Sequence, residues 1–113
     1  MCTQNQAVTI LSQAYKMCSG IFSDKLSDAY LYGSYARGDY DDESDVDILI
    51  TVDMAPEALA AFRRQVSAIN SELSLEHDVT VSITAKPLEQ FQKYSDILPY
   101  YQNVIREGIR YAG

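Results

Sequence analysis

Gly33-Ser34-Tyr35-Ala36-Arg37-Gly38 can hold a phosphate, and Asp45-Val46-Asp47, a few residues further on, can hold a divalent cation. Glycine lets an anion approach the main chain closely, and a turn that opens into a helix leaves N–H groups free for its oxygens. The Ser34 hydroxyl adds a donor, and Arg37 carries a planar fork suited to the same oxygens. Alternate residues of a strand share a face, so Asp45 and Asp47 lie on one side with Leu49 and Thr51. Val46, Ile48, Ile50 and Val52 form the opposite, wholly apolar side. Two carboxylates about 7 Å apart along a strand can converge on a pair of ions, the two-metal arrangement of phosphoryl transfer. Like charges this close repel unless a cation neutralises them, which points to Mg2+.

Each part also has an ordinary structural explanation. Ser34 can cap a helix that Gly38 stops, with Arg37 in solvent. A D-x-D pair can be the solvated start of a strand. Asp39, Asp41 and Glu43 alternate as in a calcium-binding loop, but Ser44 and Ile50 would occupy that loop's glycine and glutamate positions, which excludes it. The functional reading rests on joint occurrence: ten residues separate Ser34 from Asp45, and both motifs adjoin neighbouring strands.

The elements that must position these residues follow from hydrophobic spacing. Ala7, Ile10, Leu11, Ala14, Met17 and Cys18 recur at helical intervals and predict an amphipathic helix ending near Gly20. Residues 29–32 read as a short strand running into Gly33, and 45–52 as a second strand rich in valine and isoleucine. Asp53 and Pro56 are helix-start signals. Leu59, Phe62, Val66, Ile69 and Leu73 then predict one long helix over roughly 55–75. Residues 78–84 alternate as a third strand, with Val79, Val81 and Ile83 on one side. A short helix follows Pro87, and another spans 98–107 before Gly108 stops it. Three strands with intervening helices give an α/β sandwich with one sheet face covered and the other free to carry a site.

A chain of 113 residues is one domain, and with 47% hydrophobic residues and nine tyrosines it can build a packed core. The net charge of −7 excludes general nucleic-acid binding, which depends on lysines and arginines displacing counterions. Cys2 and Cys18 form no ligand spacing. Cys18 is expected buried and reduced on the first helix, and Cys2 in a frayed terminus. The start carries no basic and apolar leader, and no apolar run approaches the ~20 residues of a membrane span, so a cytoplasmic location is expected.

The G-S, ten-residue, D-x-D pattern strongly resembles the minimal nucleotidyltransferases of the DNA polymerase beta superfamily, whose glycine-serine turn often continues as A-R-G. The match runs residue by residue over 33–50. It implies a single nucleotidyltransferase domain over 1–113, of mixed α/β (α+β) class, with a small mixed sheet of about three to four strands flanked by helices. It further implies that Gly33 and Ser34 hold the triphosphate, that Arg37 contacts its phosphates, and that Asp45 and Asp47 bind Mg2+. A nucleoside monophosphate, expected to be AMP from ATP, would pass to an acceptor hydroxyl with release of pyrophosphate.

The family usually has a third carboxylate on a later strand, a ligand of the catalytic metal. Asp78 is the candidate, since its parity is opposite to that of Val79, Val81 and Ile83. If the true position falls two or four residues later it is Thr80 or Ser82, and the third ligand is missing. Glu76 is a distant substitute. His77 and the C-terminal Tyr94, Tyr100, Tyr101 and Tyr111 read as structural residues.

So short a chain has little room to bind an acceptor. Small members of the family are often paired with helical HEPN-domain proteins in toxin–antitoxin systems, where the transferase adds AMP to its partner. One alternative is a catalytically quiet nucleotide- or partner-binding subunit, favoured if Asp78 turns away from Asp45 and Asp47. Another is transfer to a small molecule such as an antibiotic.

Overall fold

The helix predicted through Ala7 and Cys18 forms as α1 (Gln4–Phe22) in a computed structural model that describes residues 2–111. Thr3 caps it, its hydroxyl accepting from the Gln6 N–H while the Gln6 side chain accepts from the Thr3 N–H. The helix runs through Gly20 and ends at Ser23, whose φ of 53° turns the chain away. After a short 3-10 turn come β1 (Leu26–Tyr32), α2 (Ser34–Arg37) and β2 (Val46–Val52). Next are α3 (Pro56–Ala60), α4 (Arg63–His77) and β3 (Val81–Pro87). The chain closes with α5 (Leu88–Tyr94), α6 (Pro99–Glu107) and β4 (Ile109–Arg110).

The four strands form one mixed sheet in the order β3-β2-β1-β4. β2 pairs antiparallel with β1 and parallel with β3, while β4 adds two antiparallel residues to β1. The apolar side of β2 builds the main core: Val46, Ile48, Ile50 and Val52 are buried with Ile10, Leu11 and Ala14 of α1 and Ile69 and Leu73 of α4. On the other face Leu49 packs with Phe91, Tyr101 and Val104 from α5 and α6. The face expected to be open is therefore partly covered, and Asp47 sits half-buried at its end.

Thr51 is fully buried on that second face, and its hydroxyl accepts from the Asp28 N–H at 3.0 Å, where the β1–β2 register slips. Cys2 is buried rather than frayed, and Cys18 is buried as expected, its thiol pushed up to about 11 by desolvation. Among the described residues no helix is long and apolar enough to cross a membrane.

Two elements depart from the expected boundaries. The long helix is broken at Ala61 and Phe62, where Phe62 leaves the helical path and its ring packs 5.1 Å from that of Phe22. The third strand starts three residues later than its alternation suggests, because α4 continues to His77 and Asp78 caps it at φ 54°, ψ 44°. Side chains of α4 then fix the outer edge of β3. Ser74 Oγ accepts from the Val81 N–H at 2.8 Å, and Asn70 Oδ1 from the Ile83 N–H at 2.9 Å.

Gly108 ends α6, as its position suggests, and joins it directly to β4. A methyl group there would run into the carbonyl oxygen of Val104 and lie 3.1 Å from that of Leu31. Neither backbone atom can swing aside. Gly108→Ala is expected to destabilise the chain by about 1–3 kcal/mol, the usual scale of overpacking, read as a lower urea midpoint with unchanged slope.

Candidate active site

β1 delivers the chain to Gly33 opposite β2, the strand of the aspartate pair: Tyr32, its last residue, lies across from Asp47. Gly33 has φ 79° and ψ −155°, a conformation reserved for glycine. Its missing side chain is also required by space, since a Cβ there would lie 2.9 Å from Asp47 Oδ2. The glycine-serine turn and the second aspartate are thus in direct contact. Gly33 accepts from the Ala36 and Arg37 N–H groups at 3.1 Å each, while Gly38, at φ 88°, donates to the Ser34 carbonyl at 2.8 Å. The N–H groups of Ser34 and Tyr35, first in this single turn, have no helical partner by geometry and suit an anion.

The turn is braced by residues that its motif does not reveal. Gln4, at the start of α1, donates from its side chain to the Tyr35 carbonyl at 2.9 Å and the Ala36 carbonyl at 3.3 Å. Tyr35 is buried, stacks 4.5 Å from Tyr40, and has its phenol pushed up to about 12, chiefly by burial. Arg37 is exposed and paired, Nε to Asp39 at 3.2 Å and a terminal nitrogen to Glu107 at 3.6 Å. The acidic loop ties back on itself, with Asp41 Oδ1 accepting from the Glu43 N–H at 2.9 Å.

Asp45 is exposed just before β2, and Asp47 is half-buried within it. Burial, and then the charge of Asp45, push the Asp47 carboxyl above its ordinary range. The smaller part of that shift is repulsion by the Asp45 charge, which a divalent ion held by both carboxylates would relieve. The residues present therefore suit such an ion. Beside them the hydroxyls of Tyr32 and Tyr100 lie 2.9 Å apart, and the Tyr100 phenol is held up by burial, by Tyr32 and more weakly by the Asp47 charge. Of the four C-terminal tyrosines, Tyr100 alone is thus coupled to the aspartate pair. Tyr94 and Tyr101 pack under the sheet, and Tyr111 stacks on Tyr15.

Asp78 is not brought to the pair. It is exposed at the end of α4, three residues before β3 begins. Opposite Asp47 on β3 stands Ser82, and opposite Leu49 stands Thr84. Among the described residues no group of three or more His, Cys, Asp or Glu is placed to share a metal ion. Asp78 falls outside the expected register because α4 runs on to His77, which alternation through Val79 does not reveal, while the short helix expected after Pro87 forms as α5. His77 bonds to Gln13 at 2.6 Å, as expected of a structural histidine. A cleft of about 380 Å³ along β3, lined by Leu59, Arg63, Asn70, Lys86 and Gln90 among others, does not include Asp45 or Asp47. The cleft holds no carboxylate, whereas the aspartate pair offers the anionic oxygens a divalent cation needs.

Residues 14–111 match the family model described as "Nucleotidyltransferase domain". The chain is 42% identical over 77 residues to "Putative protein adenylyltransferase MJ0141" of Methanocaldococcus jannaschii, covering 68% of this chain and 76% of that protein. It is 32% identical over 87 residues to "Putative protein adenylyltransferase MJ0604" of the same organism, covering 77% and 79%. Among solved structures, a toxin–antitoxin crystallised with AMP-PNP superposes with a TM-score of 0.57 at 19% identity, over 91% of this chain and 70% of that one. A mutant of the toxin–antitoxin MntA-HpeT gives 0.52 at 17% identity, over 96% and 71%. At these identities the two structures speak for the fold.

Proposed function

Because the chain belongs to the nucleotidyltransferase domain family, a family of enzymes, we propose that it transfers AMP from ATP to a hydroxyl of a partner protein. The observation that carries this reading is the contact between Gly33 and the Asp47 carboxylate, which makes one site of the phosphate turn and the carboxylate pair. The names of the two relatives, each a "Putative protein adenylyltransferase", support a protein acceptor. The toxin–antitoxin neighbours support a dedicated partner, for which a helical HEPN-type protein in the cytoplasm is our candidate.

In this reading the main chain at Ser34 and Tyr35, with the Ser34 hydroxyl, grips the triphosphate. The acceptor hydroxyl oxygen bonds to the α-phosphorus as the bond to the pyrophosphate oxygen breaks; pyrophosphate leaves and the hydroxyl proton passes to solvent. Asp45 and Asp47 would hold the divalent cation, Mg2+, which neutralises charge on the triphosphate when bound. Arg37 must exchange Asp39 and Glu107 for phosphate oxygens to take part. Catalysis comes from positioning and charge, with no covalent enzyme intermediate.

The test incubates the protein with the product of its neighbouring gene, ATP labelled at the α-phosphate, and Mg2+. Label is expected on the partner. A partner that binds yet stays unlabelled would sink the proposal. That outcome would leave a quiet nucleotide- or partner-binding subunit, which the placement of Asp78 away from the pair favours. Ser34→Ala is expected to weaken binding of a non-hydrolysable ATP analogue about tenfold, the scale of one hydrogen bond to a charged group. An unchanged dissociation constant by calorimetry removes Ser34 from the site.

A further inference from the structure

Asp47 has two neighbours across the sheet, Tyr32 on β1 and Ser82 on β3, and neither is a carboxylate. One step along the same face, Leu49 lies between Tyr30 and Thr84. Among the described residues no third His, Cys, Asp or Glu is placed to share an ion with the pair. Asp28 pairs with Arg110 at 2.8 Å, and Asp39 and Glu107 pair with Arg37. Asp41 is bonded within its own loop, and Asp78 caps α4. The two carboxylates of the pair are enough to balance one divalent cation, and no third stands across the sheet from Asp47. A second ion about 4 Å from the first would meet repulsion with no protein anion to offset it. Mg2+ is commonly held by one or two carboxylates together with substrate phosphates rather than by an all-protein cage.

Resting on the nucleotidyltransferase reading, we infer that this chain alone holds one divalent cation at Asp45 and Asp47, and that a second enters only with the triphosphate, because Ser82 occupies the position from which a third carboxylate would reach it. Ser82 is thereby the residue that sets the ion count. It is half-buried on the same face as Asp47, near the start of the parallel β2–β3 pair, where an aspartate would stand beside Asp47.

Mn2+ serves as the probe, titrated into nucleotide-free protein and followed by calorimetry and by electron paramagnetic resonance. The wild type is compared with Ser82→Ala, Ser82→Asp and the double variant Asp45→Asn, Asp47→Asn. Ions of the site are those lost in the double variant, which removes weak binding by the acidic loop from the count. Wild type and Ser82→Ala are expected to bind one such ion, and a second only when a non-hydrolysable ATP analogue is present. Ser82→Asp is expected to bind two without nucleotide, the first tighter by about one to two orders of magnitude, as added ligand charge tunes such sites.

Two site ions in the nucleotide-free wild type would overturn the inference, as would a Ser82→Asp protein that binds no tighter than wild type. If crowding of three carboxylates unfolds Ser82→Asp without metal, its melting temperature should rise with Mn2+ more than that of the wild type. Equal rises overturn the inference by a second route. A double variant that binds as many ions as the wild type would instead remove the metal site itself and the functional reading with it.

Discussion

Asparagine at positions 45 and 47 together is expected to lower AMP transfer by about a thousandfold or more while making the metal-free protein harder to melt. The first effect follows from what the pair supplies. Charge neutralisation by a bound cation contributes several kcal/mol at a developing phosphoryl transition state, and each ~1.4 kcal/mol is a factor of ten. Asparagine keeps the shape but offers no charge to hold the ion. The second effect follows from the raised Asp47 carboxyl. A carboxyl that is harder to ionise in the folded chain stabilises it while protonated, and that stability is lost as pH rises through the raised pKa. At neutral pH the ionised pair is a net burden on the metal-free fold, and the double variant lifts it. Label-transfer rates and thermal melts in chelator, at pH 7 and pH 5, check both halves. The melting advantage should be larger at pH 7, and an advantage that grows toward pH 5 would contradict the electrostatic account.

Gly33→Ala is the other large expectation, a loss of about a hundredfold or more in transfer with nucleotide-free stability also reduced. Alanine is strained at φ 79°, ψ −155°, where such conformations cost about 1–3 kcal/mol. Its methyl group would also lie 2.9 Å from Asp47 Oδ2, so the carboxylate must move or the turn must open. Either response separates the two halves of the site, and a displacement near 1 Å is enough for about a hundredfold. Mn2+ titration identifies the response. A weakened ion with intact ATP-analogue binding means that Asp47 moved; the reverse means that the turn opened. A variant with wild-type transfer and wild-type ion binding would show that the contact is not functional.

The site was legible where its geometry is local, and illegible where it depends on register between distant segments. Gly33, Ser34, Asp45 and Asp47 announce themselves because turn chemistry and strand parity act over a few residues. The identity of the residue opposite Asp47 depends on where β3 begins, and that was decided by α4. Ser74 and Asn70 capture the first amides of the strand from outside, and Asp78 ends the helix in a left-handed conformation that alternation does not foretell. The fold behaved in the same way. The apolar side of β2 marked the main core correctly, whereas α5 and α6 reached under the sheet through Phe91, Tyr101 and Val104, whose packing partner Leu49 is far away in sequence. The two-residue β4 was not anticipated, since so short a strand exists only by pairing with β1. Gln4, which steadies the phosphate turn from the first turn of α1, left no sign in its own neighbourhood.

The bonds from Ser74 and Asn70 to β3 also limit how another chain can join this one. β3 is an outer strand, and the outward-facing amides of Val81 and Ile83 are already taken, while Pro87, at the same parity, has none. On the far side the sheet ends in β4, too short to template a neighbour and flanked by the Arg110–Asp28 ion pair. Only Ala85 keeps an outward amide of that parity in β3, so both margins offer little to strand addition, the contact by which exposed sheets recruit peptides or aggregate. In the proposed reaction, an acceptor protein would then meet Asp45 and Asp47 through side chains on the helices and loops around them, not by adding a strand to the sheet.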